Sequence, residues 1–175
     1  MPVDGDDRIV YPHKQSQRDK ALIRGTRYYH FRQQILYSQA RPTQLRLPRE
    51  TTRLDCSGLV AACMDFAGVL PRVDWRYTNT WVQIRLGKMV TLPRARPGDV
   101  VFYGPSKTNP THEAMLLGTL KQLRALIKVP DEIVRKMSVV GAPYVLSHGH
   151  YPMNVFPLDY RDDRIQIRDL IGADV

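Results

Sequence analysis

Cysteine is scarce: the 175 residues contain two, Cys56 and Cys63. If both lie on one helix, their seven-residue separation puts them roughly 10 Å apart along its axis, too far for an S–S bond. A disulfide framework is excluded, and both cysteines should be free thiols. Metal-ligating spacings are missing too. There is no CxxC, HxxxH or HExxH, and His148-Gly149-His150 alone supplies too few ligands for a structural zinc site. No metal or organic cofactor is expected. No apolar run approaches the roughly 20 residues that cross a bilayer, and the first ten residues carry charges where an apolar leader would stand. Membrane insertion and export by a leader of its own are therefore not expected. Internal repeats and low-complexity tracts are also absent.

Acidic residues are rare in the leading third. From Arg8 to Arg53 there are eleven Lys or Arg against Asp19 and Glu50, a balance that equals the whole chain's net charge of +9. Such a segment suits either a solvated helix face or an anionic partner: nucleic acid, a phosphate-rich envelope or an acidic neighbouring subunit. Aromatics do not interleave with these charges as a single-strand binding groove requires, and no DNA-reading motif is present, so nucleic acid is not the expected partner.

With 43% hydrophobic residues, 13 prolines and 11 glycines, the composition suits one mixed, turn-rich domain. We expect an extended arm over residues 1 to 18 and a single domain over 19 to 175. Apolar spacing predicts a helix from about 18 to 39, interrupted near Gly25 and ended before Pro42. It predicts a second helix from Cys56 to Ala67-Gly68 and a short one near 80 to 86. Strands are expected at Val100 to Tyr103, after the turn Pro97-Gly98-Asp99, and at His112 to Gly118, Tyr144 to Ser147 and Arg164 to Arg168. Residues 119 to 138 read as a helical insertion, either packed on the core or serving as a lid or partner-docking element. Residues around Pro152 and Pro157 read as an extended tail.

Chemistry gathers at Leu54-Asp55-Cys56-Ser57-Gly58-Leu59. Asp55 and Ser57 favour the cap and turn positions before a helix, so Cys56 should stand beside unpaired N–H groups. The positive end of the helix dipole would then lower the thiol pKa. Cys63, among small apolar neighbours, reads as a packing residue. A nucleophilic thiol needs a base, and His112, opening a strand after a turn-rich loop, is the best placed of the five histidines.

The order of these segments resembles the NlpC/P60 family of papain-like cysteine peptidases, most of which cleave bacterial cell-wall peptides. The motifs carrying the likeness are Asp55 to Val60, Pro97 to Phe102, and His112 to Gly118, within residues 37 to 151. The resemblance implies an α+β fold in which a cysteine-bearing helix packs on an antiparallel sheet that carries the histidine. It implies Cys56 as nucleophile, His112 as its base, and His148, with His150 as fallback, as the polar group orienting His112. Tyr37, Asp55 and Ser57 would line the substrate edge, although either Asp55 or Ser57 is equally suited to a helix-capping role. Three departures stand out: Tyr37 is followed by Ser38-Gln39-Ala40-Arg41 rather than an aromatic and glycines, Glu113 follows the histidine, and the insertion lengthens the gap to His148. Strand alternation predicts that Glu113 points away from the cleft.

The expected activity is that of a cysteine endopeptidase acting on peptidoglycan stem peptides. The expected setting is a phage tail, with tail proteins as partners and the virion as location. The alternatives are a structural or adaptor subunit on the same fold, or a cell-wall amidase using the same thiol and imidazole.

Overall fold

Ser16 starts the first helix: its hydroxyl accepts from the Asp19 N–H at 3.1 Å, ahead of α1 (Gln17–His30). The computed structural model describes residues 16–172. The expected arm, with His13, therefore lies outside the described residues except for its last three positions. Of these, Gln17 and Arg18 are helical. Gly25 does not interrupt α1. A Cβ there would stand 3.2 Å from Leu146 Cδ2 and 3.5 Å from Met115 Sδ, so the glycine lets the helix lie close to the sheet. The helix ends at His30, well before Pro42. Beyond a 3-10 turn, β1 (Leu36–Tyr37) pairs in parallel with β2 (Arg53–Leu54).

Asp55 caps α2 (Cys56–Phe66), its carboxylate accepting from the Gly58 N–H at 2.6 Å. At the other end, Gly68 takes φ +71° while the Val69 N–H reaches back to the Met64 carbonyl, closing the helix as its sequence predicts. Cys63 is fully buried in the core that α1 and α2 share with the sheet.

A short helix, α3 (Thr80–Gln83), leads to β3 (Lys88–Val90), β4 (Val100–Tyr103) and β5 (His112–Gly118). After α4 (Leu120–Arg124) and α5 (Asp131–Lys136) come β6 (Tyr144–Ser147), β7 (Asn154–Pro157) and β8 (Arg164–Asp169). The six strands form one antiparallel sheet in the order β3-β8-β4-β5-β6-β7. The tail read as extended thus contains a strand: β7 pairs with β6 from Tyr144↔Pro157 to Ser147↔Asn154. Pro157 is tolerated there because β7 is an edge strand. The inserted helices pack on the core, burying Leu123, Ile127, Ile133 and Met137.

Alternation along the strands divides the sheet into two faces. Val100, Phe102, Met115, Leu117 and Leu146 join α1 and α2 in the main core. Val101, Tyr103, Ala114, Leu116 and Val145 form a smaller core on the other face, under Leu158 and Tyr160. The turn Pro97-Gly98-Asp99 is tied to both helix and sheet by Arg18. This guanidinium donates to the Pro97 carbonyl (2.8 Å) and to the carboxylates of Asp99 (2.9 Å) and Asp169 (3.0 Å).

Candidate active site

Cys56 occupies the first position of α2, so its backbone N–H has no acceptor within the helix. The parallel β1–β2 pair sets Tyr37 beside Leu54, two residues before the thiol. The sulfur lies 3.9 Å from the Thr80 hydroxyl on α3, and the residue is 7% exposed. The expected lowering of its pKa is not found. Burial pushes the thiol up to about 12, reinforced by the negative charges of Glu113 and Asp55, while the Glu113 backbone amide and Thr80 work the other way. The field of one helix end is too small to offset the loss of water around the sulfur.

His112 opens β5, opposite Tyr103 on β4. The residue is 5% exposed, and burial drives its pKa down to about 4, with the Arg161 charge adding to the effect and Asp163 opposing it. Nε2 has two hydroxyl partners, Tyr160 at 2.8 Å and Ser147 at 3.0 Å, which themselves lie 3.3 Å apart. Nδ1 makes no hydrogen bond, yet it is not among the buried polar atoms sealed without a partner. No hydrogen bond joins His112 to Cys56. Tyr160 connects them indirectly: its hydroxyl bonds the ring, and Cys56 is one of the groups that raise its pKa, after burial.

His148 does not orient His112. Neighbouring residues at the end of β6 face opposite sides of the sheet, so Ser147 shares the His112 face while His148 turns toward β1. There its Nε2 lies 3.4 Å from the Leu36 carbonyl and its ring meets the Tyr37 ring edge-on at 5.8 Å. His150 is placed against Phe156, with ring centroids 6.5 Å apart. Tyr160 carried no sequence signal, lying in a turn 48 residues from His112. Gly149 is flat against the His112 imidazole: a Cβ there would stand 2.7 Å from His112 Cε1. Gly149→Ala is expected to displace the ring and lower any turnover at least about tenfold, with a melting temperature close to wild type, read by activity and calorimetry.

Glu113 does face away from His112, but not toward solvent. The opposite face is the one covered by α2, so the carboxyl is fully buried near Cys56 and Thr80.

The three residues expected at the substrate edge are present but differ in availability. Tyr37 is partly exposed, and its hydroxyl accepts from Gln39 Nε2 at 3.2 Å. Asp55 and Ser57 are already engaged by Arg41, which donates to Asp55 Oδ2 (3.1 Å), Asp55 Oδ1 (3.3 Å) and Ser57 Oγ (2.9 Å). Arg41, which stands where the family resemblance expects glycines, is thereby part of this edge. A recess of about 380 Å³ lies elsewhere, between α1, α2 and the 45–50 loop, and includes none of these groups.

Comparison with known structures identifies the fold. RipD of Mycobacterium tuberculosis, described as a non-catalytic NlpC/p60 domain protein adapted to peptidoglycan binding, superposes with a TM-score of 0.55 at 17% identity. The alignment covers 90% of this chain and 99% of RipD. The P60 domain of the Mycobacterium avium paratuberculosis antigen MAP1272c gives 0.52 at 21% identity, covering 87% of this chain and 91% of that one. The peptidoglycan hydrolase RipB of M. tuberculosis gives 0.50 at 19%, covering 95% and 71%. At these identities the likeness is one of fold. No curated protein matches the sequence. The sequence model of the NlpC/P60 family matches residues 38–144, more than half the chain and a span that holds both the thiol and the imidazole, and the protein belongs to that family.

Proposed function

We propose that the protein is a cysteine peptidase that hydrolyses amide bonds in peptidoglycan stem peptides. The observation that carries this reading is the presence in one domain of a thiol at the first turn of α2 and of an imidazole whose Nε2 is held by two hydroxyls while Nδ1 makes no hydrogen bond. With Nε2 donating to Ser147 or Tyr160, Nδ1 keeps its lone pair and serves as the base. The Cys56 proton passes to Nδ1 as the sulfur attacks the substrate carbonyl, and the Cys56 N–H receives the developing oxyanion. The imidazolium then protonates the leaving amine as the C–N bond breaks, leaving a thioester. Water, deprotonated by His112, releases the acid and restores the thiol. With burial holding both groups neutral, the thiolate forms during attack and not as a resting ion pair. Ser147 and Tyr160 take the orienting role expected of His148.

The relatives support the bacterial wall as target, since RipB is a peptidoglycan hydrolase and RipD is adapted to peptidoglycan binding. A second reading, wall binding without turnover, is favoured by the 7% exposure of Cys56 and the absence of a hydrogen bond to His112. A phage-tail setting, with tail proteins as partners and the virion as location, belongs to the same proposal. Its support is the basic leading third. The test is incubation of wild type and Cys56→Ala with peptidoglycan, followed by mass spectrometry of soluble fragments. New peptide termini from wild type alone are expected. Retention on the wall with identical fragment sets from both proteins would establish the binding reading instead.

A further inference from the structure

Glu113 is a carboxyl in a place that ordinarily holds an apolar side chain. Its strand neighbours on the same face, Met115 and Leu117, pack into the main core with α1 and α2. Glu113 itself is 0% exposed, and neither carboxyl oxygen has a hydrogen-bond partner. An ionised carboxylate so placed would lack both water and a counter-ion in contact. After burial, the neighbour that acts most on it is the Thr80 hydroxyl on α3, which favours the ionised form; the charged groups are Asp55, at the cap of α2, which opposes ionisation, and Arg41, which favours it but whose guanidinium is spent on Asp55 and Ser57. Cys56 belongs to the same cluster. The Thr80 hydroxyl faces the sulfur at 3.9 Å, and the Glu113 backbone amide faces it as well.

Two acids buried together cannot both be anionic without large repulsion, because little solvent lies between them to screen it. We propose that Glu113 is a positioning residue that sets the ionisation of the Cys56 thiol from beneath the site, carboxyl and thiol sharing a single negative charge. The inference builds on the reading of Cys56 as nucleophile. While the carboxyl keeps its proton, a thiolate has no anion beside it except Asp55, which caps α2. Once the carboxyl ionises, the thiol is held protonated. Burial pushes Glu113 up to about 8, below the value of about 12 for the thiol, so the carboxyl is the first of the two to lose its proton. Tyr37 and Tyr160, the other titratable groups within range of the sulfur, have pKa values raised by burial. His112 is neutral across this interval.

The consequence is a pH profile of unusual shape. Below the first ionisation, the thiolate fraction grows tenfold per pH unit. Between the two ionisations it is constant, because forming the thiolate only moves the remaining proton between the two groups. The test is alkylation of the full chain by iodoacetamide from pH 6 to 10.5, followed by mass spectrometry of the Cys56 peptide, with circular dichroism confirming the fold at each pH. For wild type, the logarithm of the rate is expected to rise with unit slope to about pH 8 and then level. For Glu113→Gln, a neutral side chain of nearly the same shape, the rise continues, so that at pH 9.5 it reacts about tenfold or more faster than wild type. Unit slope in wild type from pH 8 to 10 overturns the proposal without reference to any variant. Superimposable profiles of wild type and Glu113→Gln overturn it equally. Alkylation needs no peptidoglycan, so loss of wall hydrolysis with the plateau intact would refute only the peptidase reading.

Discussion

Arg18→Ala is expected to lower the free energy of unfolding at pH 7 by about 3–5 kcal/mol, the range for removing one partner of a buried ionic cluster. Arg18 is the only side chain that bonds α1, the Pro97 to Asp99 turn and the end of β8 together among the described residues. Its partners are nearly inaccessible, with Asp99 at 1% and Asp169 at 6% side-chain exposure. Burial raises the pKa of Asp99, and the Arg96 N–H and Arg18 charge pull it back. At Asp169 burial is outweighed by the Gly172 N–H and Arg18, and the pKa is lowered. In the wild type, the Asp169 contribution is present above the unfolded carboxylate pKa and is lost as pH falls through the folded value. Without Arg18, both folded pKa values move upward, so the deficit of the variant should shrink between pH 7 and pH 4. Urea unfolding at the two pH values measures this. A deficit that is the same at both would point to lost packing of the Arg18 stem instead of lost charge. Arg18→Met combined with Asp99→Asn and Asp169→Asn should recover part of the loss, since it leaves no carboxylate buried alone.

On the proposed reading, Cys56→Ala and His112→Ala should each reduce peptidoglycan hydrolysis by roughly 10³–10⁴-fold, and the double variant should be no worse than either single one. The thiol lacks a proton acceptor without the imidazole, and the imidazole lacks a nucleophile without the thiol, so the two losses do not add. Hydrolysis by wild type should persist well below pH 6, because burial holds the base neutral until about pH 4. A half-loss near the ordinary histidine value of about 6.5 would mean that the ring is solvated in the working state. The same depression acts on the fold. The unfolded chain binds a proton at His112 that the folded chain refuses, so stability should decline as pH falls from 6.5 toward 4. Soluble-fragment release across pH 3.5 to 8, with unfolding midpoints alongside, separates the two effects.

Strong local patterns were legible in the sequence. Val100 to Tyr103 and Tyr144 to Ser147 are continuous apolar or β-favouring runs between turn residues, and β4 and β6 have those bounds. The capped turn before Cys56 likewise combined its signals, with Asp55 at the cap and Gly68 at the close. Edge strands were less visible: Lys88–Val90 is short and mostly exposed, and Asn154–Pro157 contains a proline. The differences between expectation and structure at the site share an origin in sidedness. His148 and Ser147 differ by one position and therefore by one face, a choice the flanking apolar residues on both faces could not decide. Alternation places Glu113 on the face opposite His112. What the sequence did not display is that α2 covers that face, which turns an apparently outward carboxylate into a buried one. Tyr160 and Arg41 depend on chain segments brought together only by the fold.

The position of β8 governs when this site can exist. The final strand does not extend an edge: it lies between β3 and β4, pairing Val100↔Arg168 on one side and Val90↔Ile167 on the other. During synthesis the N-terminal half, Cys56 included, therefore emerges long before the strand that completes its sheet. Tyr160, which bonds the imidazole, lies only a few residues ahead of that strand. Contacts of such wide sequence separation form late and slowly. Cys56 is thus made early, and the hydroxyl that bonds His112 is fixed late, once β8 has been inserted into the sheet.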